Sequence, residues 1–201
     1  MIPKSKYTVP ILVTAAVVLV LGLTATFVII EARNSLVELP VLSTVPNFEL
    51  LERNGAAFGS TDLQGKISVV DFIFTNCQGP CPVMADNMTE LYRAFAGSDK
   101  VQFVSISVDP ERDSLIVLQE YALRHGVTDN RWVFLRGDLE TIKWLSESGF
   151  MLAADELPGM HSIKFVLVDN KGQIRGYYSG TDNASVNILK THIQELLEDI
   201  N

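Results

Sequence analysis

The strongest constraint in this chain is a run without charge near its start. No Asp, Glu, Lys or Arg occurs between Tyr7 and Ile30, and residues 9–30 read VPILVTAAVVLVLGLTATFVII. Wound as a helix, such a run is long enough to cross a bilayer core of about 30 Å. A cleavable signal peptide has a shorter apolar stretch of roughly 7–15 residues, closed by a small-residue cleavage site. No A-x-A site closes this run and no lipobox cysteine follows it. An uncleaved signal anchor over 7–30 is therefore expected. Lys4 and Lys6 precede the span, while Glu31 and Arg33 cancel after it. By the positive-inside rule, residues 1–6 stay cytoplasmic and the remainder is exported. The expected location is the inner membrane, single-pass, with a periplasmic domain. The lack of an Arg- and Ser-rich transit segment fits a bacterial host.

The rest of the chain is acidic. It carries 16 Lys+Arg against 24 Asp+Glu, a formal net charge of −8, and both basic residues before Glu31 lie ahead of the span. Phosphate binding needs clustered Lys and Arg, so a nucleic-acid partner is excluded. Membrane attachment must come from the helix rather than from a polybasic surface. A linker over 31–46, held extended by Pro40 and Pro46, leads into a domain over 47–201. With only 2 cysteines, the chain is neither a disulfide-stapled mini-domain nor a four-cysteine zinc module.

The pattern beyond Pro46 predicts an α/β domain. Phe48–Leu51 and Ala56–Phe58 read as short strands around the Arg53-Asn54-Gly55 turn. Ile67–Phe74 and Val101–Val108 are near-continuous apolar runs, the pattern of strands buried on both faces. Helices are expected over 82–95, with Met84, Met88, Leu91 and Phe95 on one apolar face, and over 114–125, 139–148 and 186–198. Trp132–Leu135 reads as a short strand. Ile163–Asp169 and Gln173–Tyr178 form a hairpin about Asn170-Lys171-Gly172. Together these make a mixed sheet covered by helices.

The two cysteines fall where a site would be expected. Asn76-Cys77-Gln78-Gly79-Pro80-Cys81-Pro82 joins the end of a buried strand to the start of a helix, at the carboxyl edge of the sheet. A helix N-terminus favours thiolate over thiol. The i to i+4 spacing of Cys77 and Cys81 brings both sulfurs to one side of the first turn. Such a pair can be an inert disulfide, a dithiol–disulfide couple or a soft-metal site. His161 bears on the choice. If the strand after it neighbours the cysteine strand, its imidazole faces the two sulfurs, and two thiolates with one imidazole suit Cu(I). Spacing alone equally allows a solvated loop histidine. His125, near a helix end, and His192, on the last helix, read as dipole-serving or solvated residues. Asp71 interrupts an apolar strand, either as a proton acceptor with a raised pKa or as a hydrogen-bonded core residue. Met84 and Met88 read as core, and Met160 as packing. Asp109, Asp113 and Ser114 read as turn and helix-cap residues, and Glu195, Glu198 and Asp199 as a solvated face.

Three segments carry a resemblance: D-F-I-F-T-N-C-Q-G-P-C-P, S-V-D-P-E-R-D, and H-S-I-K-F-V-L-V-D-N-K-G-Q-I-R-G-Y-Y-S-G. From about Leu39 onward the chain resembles the SCO/SenC copper chaperones, and the anchor also fits. The resemblance implies a thioredoxin-like fold with a peroxiredoxin-like insertion. It implies copper bound by Cys77, Cys81 and His161, and a role in assembling the copper centre of cytochrome c oxidase subunit II. Other copper carriers or thiol–disulfide reductases are further implied partners, and a monomer is expected. The rival function is a thiol–disulfide oxidoreductase acting on the cysteines of that centre through Cys77 and Cys81. Thioredoxins carry W-C-x-x-C and a proline just before the late strand. Here Asn76 stands before Cys77, three residues separate the cysteines, and His161-Ser162 lies in the proline's neighbourhood.

Overall fold

Two runs of buried residues organise the sheet: β4 (Ile67–Ile73) and β5 (Val101–Ser107), each buried at every position. The computed structural model describes residues 8–34, 39–155, 157–159 and 161–200. β4 and β5 pair in parallel from Ile67–Val101 to Ile73–Ser107. Parallel neighbours need a crossover, and α2 (Cys81–Ala94) supplies it. β6 (Trp132–Arg136) extends the parallel set beyond α3 (Leu115–Arg124). On the other side of β4 lies β7 (Lys164–Val168), antiparallel, followed by its hairpin partner β8 (Gln173–Ser179). β1 (Ser43–Thr44) closes that edge, while β2 (Glu49–Glu52) and β3 (Ala57–Gly59) close the other. Among the described residues the order is β1-β8-β7-β4-β5-β6-β2-β3.

Alternation along the strands feeds two cores. Val69, Phe103 and Leu167 join Met84, Met88 and Leu91 of α2 and Leu189 and Ile193 of α5 (Asn183–Glu198). Val70, Phe72, Ile106 and Val166 join Ile142 of α4 (Leu139–Trp144) with Leu145 and Phe150 on the opposite face. The sheet is thus covered on both sides, which is why its central strands have no polar face. Met84 and Met88 are fully buried core residues, as expected.

Three elements differ from the sequence reading. The helix expected over 139–148 ends at Trp144 and continues as a single π-helical turn, Leu145–Gly149. The last helix starts earlier, at Asn183, because the Asp182 side chain accepts from the Ala184 and Ser185 amides. The stretch read as linker carries β1 in its second half. Arg175 donates to the Leu39 carbonyl and pairs with Asp169 at 2.8 Å, which ties this segment to β8.

Residues before Leu39 form a separate unit containing α1 (Thr8–Asn34). Its described side chains, 13–27, are all exposed. Among the described residues no helix is long and apolar enough to cross a membrane. The linker residues 35–38 lie outside the described residues.

The Asp169–Arg175 pair is buried on both sides. Replacing Arg175 by Met leaves a buried carboxyl without its cation, at a cost of about 3 kcal/mol. Chemical denaturation reads this loss. The Asp169→Asn/Arg175→Met double variant should lose less than the two single losses combined.

Candidate metal centre

The chain leaves β4 at Ile73 and turns into the cysteine loop. The Cys77 amide donates to the Phe74 carbonyl at 3.3 Å. Pro80 precedes the first turn of α2, where Cys81 stands with Pro82 beside it, a place at which a missing N–H costs little. Cys81 is buried and Cys77 half-buried, and both are free thiols.

His161 arrives from the other side of β4. The antiparallel register pairs Ser68 with Val168, Val69 with Leu167 and Val70 with Val166. Residues just before β7 therefore run back past the end of β4, towards the loop that holds the cysteines. His161 Nε2 lies 3.4 Å from Cys81 Sγ. The condition set by the sequence, that the strand after His161 should neighbour the cysteine strand, is met. His161 also bridges to Ala154, and Phe74 meets its ring edge-on at 5.5 Å.

The tautomer follows from the partners. His161 Nδ1 lies 3.1 Å from the Ser162 carbonyl. A carbonyl only accepts, so Nδ1 carries the proton and Nε2 presents its lone pair to the sulfur. Burial holds the imidazole below its ordinary range, which keeps it neutral. Burial, and then the neighbouring Cys77, push the Cys81 thiol up to about 12. The Cys81 S–H can thus donate to a neutral imidazole. Thiol, imidazole and second thiol are a soft donor set in a partly dry site, which fits a soft cation that displaces thiol protons. Among the described residues no three His, Cys, Asp or Glu side chains already stand as a ready metal cluster. Cys81 meets His161 on one side and neighbours Cys77 on the other.

Other candidates fall elsewhere. A cavity of about 120 Å³ is lined by both cysteines together with Tyr121 and His125. His125 ends α3, as read, and its ring packs tilted against Tyr121 at 4.6 Å. His192 bonds Tyr178 at 2.6 Å rather than a thiol. Met160 lies outside the described residues. Ser114 caps α3 through the Val117 amide. Glu198 and Asp199 are exposed, whereas Glu195 is half-buried. The Leu157–Pro158 peptide is cis.

Asp71 is the hydrogen-bonded core residue of its second reading, with the raised pKa named in the first. It is buried and accepts from the Ser105 hydroxyl at 2.6 Å, which in turn accepts from Trp132 Nε1 at 2.9 Å. Burial pushes its carboxyl up to about 7, with Ser105 opposing. Asp113 closes the turn onto Asp109, as read, but its carboxyl is fully buried with both oxygens engaged, which the turn reading does not include. Its signal was positional, since the loops after two adjacent parallel strands end at the same sheet edge.

A mixed sheet with a cysteine pair at the end of β4 and a histidine before β7 defines a thioredoxin-like domain with a soft-donor site. Residues 39–198 match the SCO1/SenC family, and the chain belongs to it. A SCO1/SenC family lipoprotein from Bacillus anthracis superposes with a TM-score of 0.73 at 32% identity, covering 80% of this chain and 98% of that one. BsSco, described as a member of the Sco family of cytochrome c oxidase assembly proteins with a disulfide switch, gives 0.70 at 27%, covering 78% and 95%. Copper-bound yeast Sco1 gives 0.60 at 26%, covering 76% and 89%.

The Asp71 shift has a stability consequence. A carboxyl whose pKa is raised from 3.8 to about 7 on folding holds its proton more tightly in the folded chain. Its favourable contribution is complete below the unfolded value and is lost as pH rises through about 7. Asp71→Asn keeps an acceptor for Ser105 and removes that loss. The variant should be more stable than wild type at pH 8, by on the order of a few kcal/mol, with little difference near pH 4. Denaturation curves at the two pH values check this.

Proposed function

We propose that this chain is a membrane-anchored, extracytoplasmic copper chaperone whose Cys77, Cys81 and His161 hold the ion. The observation that carries the reading is the 3.4 Å approach of His161 Nε2 to Cys81 Sγ, with Cys77 on the same loop. Two thiolates and one neutral imidazole make a three-coordinate site suited to Cu(I). Binding releases both thiol protons, so affinity rises with pH. Forming the Cys77–Cys81 disulfide releases two protons and two electrons and removes both sulfur ligands, which links the redox state to copper release. The copper-bound yeast relative and the disulfide switch of BsSco support this combination. The recipient we infer is cytochrome c oxidase subunit II, which would take the ion by ligand exchange onto cysteines and histidines of its own. The uncharged run 7–30, with exposed apolar side chains over 13–27, supports the anchor and a periplasmic domain.

A Cu(I) titration against a competing chelator tests the ligand set. Reduced wild type should bind one ion. His161→Ala should weaken binding at least tenfold while still forming the disulfide, and Cys77→Ser should weaken it further. Unchanged affinity in His161→Ala would sink the assignment. Reduction of a partner disulfide that needs Cys77 and ignores His161 would favour the oxidoreductase instead. The anchor predicts that the full chain stays with membranes through an alkaline carbonate wash, whereas residues 39–201 do not.

A further inference from the structure

The backbone ladder that holds β4 runs out before the cysteines begin. Its last bond to the neighbouring segment is the Val108 amide donating to the Ile73 carbonyl at 2.8 Å. Two residues on, the Thr75 amide has no strand to pair with. It donates to the Asp113 carboxyl instead, at 3.2 Å to Oδ2 and 3.4 Å to Oδ1. The Thr75 hydroxyl donates to Oδ1 at 2.6 Å. Ser107, the last residue of β5, donates to Oδ2 at 2.5 Å. The Asp113 amide donates to the Asp109 carbonyl at 2.9 Å, so the carboxyl sits on a turn that is itself tied down. Asp113 is 0% exposed. A side chain thus continues the sheet where the strand stops.

We propose that Asp113 is a positioning residue for the metal site: by holding Thr75 it fixes the start of the Cys77 loop and so keeps Cys77 presented beside Cys81 and His161. The inference rests on the copper reading above and adds a residue to it. Cys81 is held by α2 and by burial, and His161 by its bridge to Ala154 just ahead of β7. Cys77 follows Thr75 by two residues, and its amide is tied back to Phe74. The loop between Thr75 and α2 lies in neither strand nor helix, so its freedom is what joining the two sulfurs to one ion has to restrict. Anchoring its first residue reduces the conformational entropy that ligation has to overcome. The same restriction is needed for the disulfide, in which each thiol gives up one proton and one electron to the dithiothreitol couple. The clamp therefore favours both products.

The test uses the full chain in detergent, with Asp113→Ala, Asp113→Asn and Thr75→Val compared with wild type. Two quantities are read: Cu(I) affinity by chelator competition, and the Cys77–Cys81 potential in dithiothreitol redox buffers. Asp113→Ala should weaken Cu(I) binding about tenfold and destabilise the disulfide about tenfold, an upward shift of about 30 mV for a two-electron couple. Asp113→Asn, which keeps one acceptor, should recover part of both. Thr75→Val, which loses only the hydroxyl, should shift both in the same direction by less. Arg175→Met serves as the control for lost stability alone and should move neither. If Asp113→Ala does not fold, Asp113→Asn and Thr75→Val decide. Unchanged affinity and potential in folded variants, or equal shifts in Arg175→Met, would overturn the proposal. If wild type binds no Cu(I), the copper reading fails, and the potentials alone still decide the clamp.

Discussion

The site depends on the pairing of β4 with β7. Those two strands bring Cys81 and His161, 80 residues apart in the chain, to 3.4 Å. The pairing is specified by burial rather than by the ligands. Val69 and Leu167 feed one core, Val70 and Val166 the other, and all four are fully buried. A slip of one residue would exchange every side chain between the two faces and misfit both cores. Packing energy, which acts along the whole strand, thus places an imidazole that itself contributes little to folding.

Burial also sets the chemistry at the strand ends. Removing water raises Cys81 and Asp71 and lowers His161, so all three favour their uncharged forms. A neutral thiol–imidazole contact costs far less to bury than a thiolate–imidazolium pair. The domain can therefore keep its donors folded and ready without a cation. Under the copper reading proposed above, a soft ion that displaces the thiol protons would meet an imidazole already turned towards Cys81 by Ser162.

Much of the architecture was legible from local pattern. The runs 67–74 and 101–108 announced buried parallel strands, and Asn170-Lys171-Gly172 announced the β7–β8 turn. The motif from Cys77 to Cys81 stood out because a strand-to-helix junction with two thiols has few uses. What escaped was governed by distant partners. β1 is two residues long, carries no periodicity, and owes its place to Arg175 reaching the Leu39 carbonyl. Asp113 looked like any residue of an Asp-Pro turn, because its partners Thr75 and Ser107 lie on other segments.

The uncharged run, the acidic balance, the succession of strands and helices and the cysteine spacing are all readable along the chain. Each of these is a property of neighbours along the chain, read through the period of side chains or the reach of a single turn. That His161, and neither His125 nor His192, meets Cys81, and that Asp113 holds Thr75 ahead of Cys77, emerges only from packing in three dimensions. Those choices follow from strand order and register, which are set by how two hydrophobic cores fill simultaneously on opposite faces of one sheet.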